Sequence, residues 1–118
     1  MNWKKNFEEG KELVLSTSSK SGNPNSNIVI SLGFVNDKLL VANCQMDTTI
    51  KNLKENPKIS VVGSYFRIRG DIEIFDSGEV FDKGVEIVAS QDKSLKVRDI
   101  ISINVKDVFD LENSEKII

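Results

Sequence analysis

The chain has 118 residues, 39% of them hydrophobic and 29% charged, with a formal net charge of −2 at pH 7. One domain with a real core fits that length, the charge gives no reason to expect nucleic acid or a membrane as partner, and no apolar run approaches the ~20 residues of a bilayer span. The absence of histidine and the single cysteine, Cys44, exclude His-based triads, His metal sites and an internal disulfide framework, and suit a reducing cytoplasm.

Residues 2–9 read as a short amphipathic helix with Trp3 and Phe7 four apart on one face, ended by Gly10. This stretch lacks the apolar block of a secretory signal. A first strand is expected over 12–18, followed by the dense turn signal Lys20-Ser21-Gly22-Asn23-Pro24. A long second strand is expected over 25–35. Its alternation sends Ile28, Ile30, Leu32 and Phe34 one way and Asn27, Val29, Ser31 and Gly33 the other. Asn36-Asp37 marks a tight hairpin, and the chain returns as a third strand over 38–43.

Cys44-Gln45 then leads into a central helix over 46–57. Asp47 or Thr48 is placed to accept a hydrogen bond from the free N–H groups of the first turn, and Ile50 and Leu53 share a face. Pro57 ends the helix, because the residue before a proline is pushed out of the α region. A helix start that follows a strand is a good place for an anion, since its first N–H groups have no helical partner. A capped connecting helix with no ligand accounts for the same residues.

Further strands are expected over 58–64 and 65–75, the latter with Phe66, Ile68, Gly70, Ile72 and Ile74 on one face and Tyr65, Arg67, Arg69, Asp71 and Glu73 on the other. Asp76-Ser77-Gly78 is a turn. Val80, Phe81, Val85 and Val88 recur at helical spacing over 79–90, 91–94 is a polar loop, and a sixth strand follows over 98–109. The tail ends in Ile117-Ile118, which packs on a partner subunit or frays. Six strands joined by antiparallel-style hairpins, with two or three short helices, point to a mainly β, antiparallel small barrel that removes its edges by closing.

Few residues carry chemistry on their own. Cys44 precedes the helix, but Asp47 works against a thiolate there, so a structural thiol is the stronger reading. Asp71 and Glu73 share a strand face with Arg67 and Arg69; a solvated face balancing its own charges explains them better than acid–base catalysis. Lys51 and Lys54 face a phosphate or simply solvent. The glycines are isolated, so no dinucleotide or P-loop pattern applies, and no carboxylate cluster suggests a metal.

An ordered set of motifs nevertheless stands out: Leu15-Ser16-Thr17, Gly22-Asn23-Pro24 and Asn27-Ile28-Val29-Ile30; then Met46, Thr49, Asn52-Leu53 and Asn56-Pro57-Lys58-Ile59-Ser60; then Arg67-Ile68-Arg69-Gly70. Over roughly residues 11–90 this set resembles the flavin-binding split-barrel family that includes pyridoxamine 5'-phosphate oxidase. The resemblance implies one split β-barrel domain over 1–118, a homodimer, and FMN in a cleft at the dimer interface. It implies that Asn27, Ile28, Val29 and Ile30 line the ring and ribityl region and that Ala42 and Asn43 lie beneath the ribityl chain or phosphate. It further implies that Asp47, Thr48, Thr49 and Asn52 form the phosphate corner and that Tyr65 reaches the flavin of the other subunit. The oxidase itself has basic residues where this chain has Asn27, Leu32, Thr48 and Thr49, and its C-terminal His- and Arg-bearing segment has no counterpart, so vitamin B6 oxidation is not expected. Lys51, Lys54, Arg67 or Arg69 is left to supply positive charge. The function implied is a small cytoplasmic flavin oxidoreductase or electron carrier. The alternatives are a binding module that has lost the flavin, or a deazaflavin-dependent reductase in which Arg67 and Arg69 meet the longer anionic tail.

Overall fold

The computed structural model describes residues 2–118. A 3-10 turn, Trp3–Phe7, replaces the expected α-helix over 2–9. It still buries Trp3 and Phe7, whose rings meet edge-to-face at 5.9 Å. The strands are β1 (Glu12–Ser18), β2 (Pro24–Ile30), β3 (Phe34–Val35), β4 (Lys38–Asn43), β5 (Lys58–Gly63), β6 (Phe66–Phe75), β7 (Asp99–Asp110) and β8 (Glu115–Lys116). Two α-helices interrupt them, α1 (Asp47–Glu55) and α2 (Glu79–Gln91). All pairings are antiparallel, in the order β2-β1-β5-β6-β7-β4-β3, with β8 added to β7.

Eight strands thus stand where six were expected, for two reasons. The long second strand breaks at Ser31-Leu32-Gly33, which bonds out of the ladder: the Ser31 hydroxyl donates to Phe7 O at 2.7 Å and accepts from Gly33 N–H at 2.9 Å. Gly33 adopts φ +84°, and a Cβ there would press on the backbone of Glu9. The bend also breaks the expected common face. Ile28 is 69% and Ile30 44% exposed, while Leu32 is buried and Val29 packs toward the core. The eighth strand comes from the tail, where Ile117 N–H bonds Val108 O at 2.7 Å and Ile117 packs on the chain's own core rather than fraying.

Elsewhere local chemistry governs. Asn36 and Asp37 take φ of 51° and 63°, as a two-residue hairpin turn requires. The alternation of β6 slips once, at a bulge between Arg69 and Gly70, where Arg69 faces Asp107 but Gly70 faces Val105. A Cβ on Gly70 would lie 2.0 Å from Asn104 O, so only glycine lets the two backbones approach this closely.

The bend also closes the barrel. Leu32 N–H donates to Leu40 O and Leu40 N–H to Gly33 O, both at 3.0 Å, so the run that ends one edge of the sheet begins the other. Leu13, Leu15, Leu39, Val41, Val61, Ile68, Ile101 and Ile103 fill the interior, and Leu53 of α1 plugs it. Helix α2 covers the outside of β4 and β7 through Leu32, Leu40, Val88 and Ile100. Burial on both faces explains why β4 reads as a nearly continuous apolar run. Among the described residues no helix is long and apolar enough to cross a membrane.

Candidate functional site

The start of α1 is assembled by Asn43, the last residue of β4. Its side-chain carbonyl accepts the Met46 N–H at 2.6 Å, its amide donates to the Asp99 carboxylate at 2.9 Å, and its backbone carbonyl accepts the Arg98 N–H at 2.9 Å. One buried amide therefore joins the end of β4, the start of β7 and the first turn of the helix. Neither Asp47 nor Thr48 caps the helix as expected; no side chain bonds its first-turn N–H groups through the cap residue Met46. Asp47 instead pairs with Arg98, its carboxylate 2.7 Å from Nη1.

A polar cluster then ties α1 to β2. The Thr49 hydroxyl donates to the side-chain carbonyl of Asn27 and accepts from the Asn25 amide at 3.1 Å, and the Asn25 amide also reaches Asn27 at 3.0 Å. One turn on, Asn52 donates to the Thr17 hydroxyl at 3.2 Å. Thr49 and Asn52 are 1% and 4% exposed, so their hydrogen bonds face inward and hold the helix in place. Thr48 is exposed and keeps its hydroxyl free among the described hydrogen bonds.

Beside this helix start lies a cleft of about 640 Å³, within the size range of small-molecule sites. Asn27, Ile28, Val29 and Ile30 of β2 form one wall and Ala42 the floor, with Cys44, Gln45 and Met46 leading to the helix. Val88, Gln91, Asp92 and Leu95 close the far side. Gln91 is held by its amide bond to Ser31 O at 3.2 Å, and Asp92 accepts the N–H and hydroxyl of Ser94, which hold its carboxyl below the usual range. Burial pushes the Cys44 thiol up, against a smaller lowering by the Arg98 charge, so it is an unactivated thiol.

Of the residues singled out from sequence, Asn27, Ile28, Val29, Ile30 and Ala42 line this cleft, and Asn43, Asp47, Thr48, Thr49 and Asn52 build the adjoining helix. Tyr65 is elsewhere: it sits 64% exposed at the β5–β6 turn, outside the cleft. No Lys or Arg lines the cleft. Lys51 and Lys54 are exposed along α1, and Arg67 and Arg69 stack on Phe109 with guanidinium carbons 4.6 and 4.7 Å from its ring centre. The cation at the helix start is Arg98, which nothing in the sequence singled out. The far wall was also missed, because 91–94 carries only loop signals.

A second cleft of about 630 Å³ opens on the other side of β1, lined by Ser16, Ser60, Arg69, Asp71, Lys106 and Asp107 among others. Lys106 lies 2.8 Å from Asp71 and Arg69 3.5 Å from Asp107, which Lys116 also approaches at 3.3 Å. The Lys106 hydrogen bond, with help from Asn104, holds the Asp71 carboxyl below the usual range, and the same bond raises Lys106. Asp71 is a paired carboxylate, poorly suited to acid–base work near neutral pH. Among the described residues no group of three or more Cys, Asp or Glu side chains is placed to hold a metal.

Comparison with known proteins bears on the family and the fold. The family model described as pyridoxamine 5'-phosphate oxidase matches residues 3–112. An uncharacterized protein of Methanocaldococcus jannaschii, MJ0282, is 23% identical over 113 residues, covering 89% of this chain and 76% of the relative. The crystal structure of HupZ from Group A Streptococcus superposes with a TM-score of 0.81 at 20% identity, covering 98% of this chain and 97% of that one. An FMN-binding protein from Syntrophomonas wolfei superposes with a TM-score of 0.72 at 17% identity, covering 82% and 74%. These likenesses fit the split barrel, and with a family model that spans nearly the whole sequence, the chain belongs to the pyridoxamine 5'-phosphate oxidase family.

Proposed function

We propose that the protein is a cytoplasmic FMN-binding oxidoreductase or electron carrier that works as a homodimer, with the flavin in the helix-side cleft. The observation that carries this reading is the convergence of Asn27, Ile28, Val29, Ile30 and Ala42 on one apolar cleft that runs to the start of α1. The donor set suits a flavin mononucleotide. Ile28, Val29 and Ile30 offer flat apolar contact to a ring, Ala42 leaves room beneath a ribityl chain, and the Thr48 hydroxyl and uncapped N–H groups favour a phosphate.

Bound there, FMN would supply hydride or electron transfer; the chain contributes binding and orientation. Asn25, Asn27 and Thr49 fix β2 against the helix, so the wall that meets the ring does not move relative to the phosphate corner. Leu95 and Val88 restrict water from the far side. The chain has no histidine, burial disfavours the Cys44 thiolate and Asp92 is engaged by Ser94, which favours simple electron or hydride relay over acid–base chemistry. Arg67 and Arg69 lie outside this cleft, which favours FMN over a deazaflavin with a longer anionic tail.

Support for the homodimer comes from the outer face of the barrel. Ile28, Val14 and Val62 are cross-strand neighbours there, with Ile28 69% and Val14 39% exposed, and Ser16, Ser26 and Ser60 form a small-residue row beside them. Tyr65, exposed and outside its own cleft, is then the residue proposed to reach the flavin of the partner. The first test is the visible spectrum of the purified protein. Flavin absorption, with FMN released on denaturation, supports the reading; a colourless protein that also fails to take up added FMN refutes it and leaves a binding module. Val14→Glu, at a residue that does not itself line the cleft, is expected to give a monomer by light scattering and to lose FMN; a dimer that persists refutes the interface.

A further inference from the structure

We infer that Arg98 is the phosphate-binding cation of the helix-side cleft, a residue that takes a phosphomonoester group and sets the preference for FMN over riboflavin. The inference rests on the flavin reading above and adds the residue on which its phosphate specificity depends.

The geometry at the helix start favours one side chain. A phosphomonoester carries nearly two charges near neutral pH and needs a cation or several N–H donors. The cleft offers no Lys or Arg of its own, and its one ionised lining group, Asp92, is negative. Lys51 and Lys54 point into solvent from α1, and Arg67 and Arg69 are spent on Phe109. Arg98 stands at the mouth. Its backbone is fixed by the bond to Asn43 O at 2.9 Å, and its guanidinium lies 2.7 Å from Asp47, the first residue of α1. Both of its anchors adjoin the lining: Asn43 precedes Cys44 and Asp47 follows Met46, and both of those neighbours line the cleft.

A guanidinium has five N–H donors in a planar fork. One nitrogen engaged by Asp47 leaves the rest free for phosphate oxygens, which a lysine in the same pair could not match. Asp47 then acts as a positioning residue. It holds Arg98 at the helix start, which answers how a carboxylate can stand in this corner without repelling the ligand. Both side chains are half exposed or more, so the pair adds little to folding and its removal leaves the barrel intact.

The test compares FMN with riboflavin, which share the ring and ribityl chain and differ by the phosphate. Titrations of the full chain are run for wild type, Arg98→Met and Arg98→Lys. Losing a charge-assisted bond to phosphate is expected to weaken FMN about tenfold or more. Riboflavin should be unaffected, and the lysine variant should lie between. An independent readout needs no variant: FMN, but not riboflavin, should protect Arg98 from phenylglyoxal, followed by peptide mass, while Arg67 and Arg69 stay reactive. An unchanged FMN-to-riboflavin ratio in Arg98→Met, or equal labelling of Arg98 with either flavin, overturns the assignment and leaves the flavin site standing. A wild-type protein that binds neither flavin overturns both.

Discussion

The two clefts have nearly the same volume, about 640 and 630 Å³, and opposite chemistry. The helix-side cleft has aliphatic walls and polar groups that hydrogen-bond away from it, into the joint between β2 and α1. The strand-side cleft is floored by β-strand serines and rimmed by ions that pair with one another. In the first, ordering the polar groups stiffens a surface left free to meet a ligand. In the second, the charges already satisfy each other, and an incoming ion would have to break Lys106–Asp71 or Arg69–Asp107. Size does not distinguish the two; what their polar atoms are already bonded to does.

Three substitutions sharpen that contrast. Gly70→Ala strikes the strand-side cleft at its backbone, where the new methyl would meet Asn104 O. A backbone carbonyl cannot rotate aside as a side chain can, so the expected cost is about 3 kcal/mol, read as a fall in thermal midpoint of roughly 10 °C or more. A midpoint within a few degrees of wild type would mean that the bulge relaxes freely. Thr49→Val tests the helix-side cleft. It keeps the shape but removes the hydroxyl shared by Asn25 and Asn27, with an expected loss of about 1–3 kcal/mol in denaturant unfolding. No loss would show that the two asparagines satisfy each other without it.

The smallest effect is the most diagnostic of paired charge. Because the Asp71 carboxyl is held below its ordinary value, its contribution is present above the unfolded pKa of about 3.9 and is lost as pH falls through the lower folded value. The raised Lys106 contributes fully below the ordinary lysine value and loses that contribution as pH rises through its higher folded one. Asp71→Asn should therefore lose that small contribution at neutral pH and converge on wild type as pH falls below about 4, so that its acid limb is flatter. An acid limb identical to wild type would show the pair to be solvated.

Much of this architecture was legible in the sequence, because much of it is local. Asn36-Asp37 dictates its hairpin and Pro57 the end of α1, and the apolar period places α2 within a residue of its observed end. What was not legible depends on partners far along the chain. The break at Ser31 needs a carbonyl from Phe7, 24 residues earlier. The helix start looked as if Asp47 or Thr48 would cap it, yet Asn43 and Arg98 decide the outcome, and Arg98 is 51 residues from the carboxylate it holds. The bulge at Gly70 needs β7 to insert one extra residue. The candidate site was half readable for the same reason: the β2 and helix motifs are contiguous, whereas the far wall and the cation come from the end of α2 and the segment joining it to β7.

The bend at Ser31–Gly33 has a consequence for how the barrel forms. The hairpins β1–β2 and β3–β4 are local, and the bend makes them one continuous clamp, leaving β5, β6 and β7 to fill the gap between its jaws. The seam that closes most barrels must bring distant segments together, at an entropic cost that grows with the loop between them. Here the seam is covalent, so closure adds no further loop, and the slow step moves to docking β5 on β1 and β7 on β4. The strand-side cleft opens beside the first of these junctions, whereas the helix-side cleft lies where β2 meets β4, on the seam that the bend makes continuous.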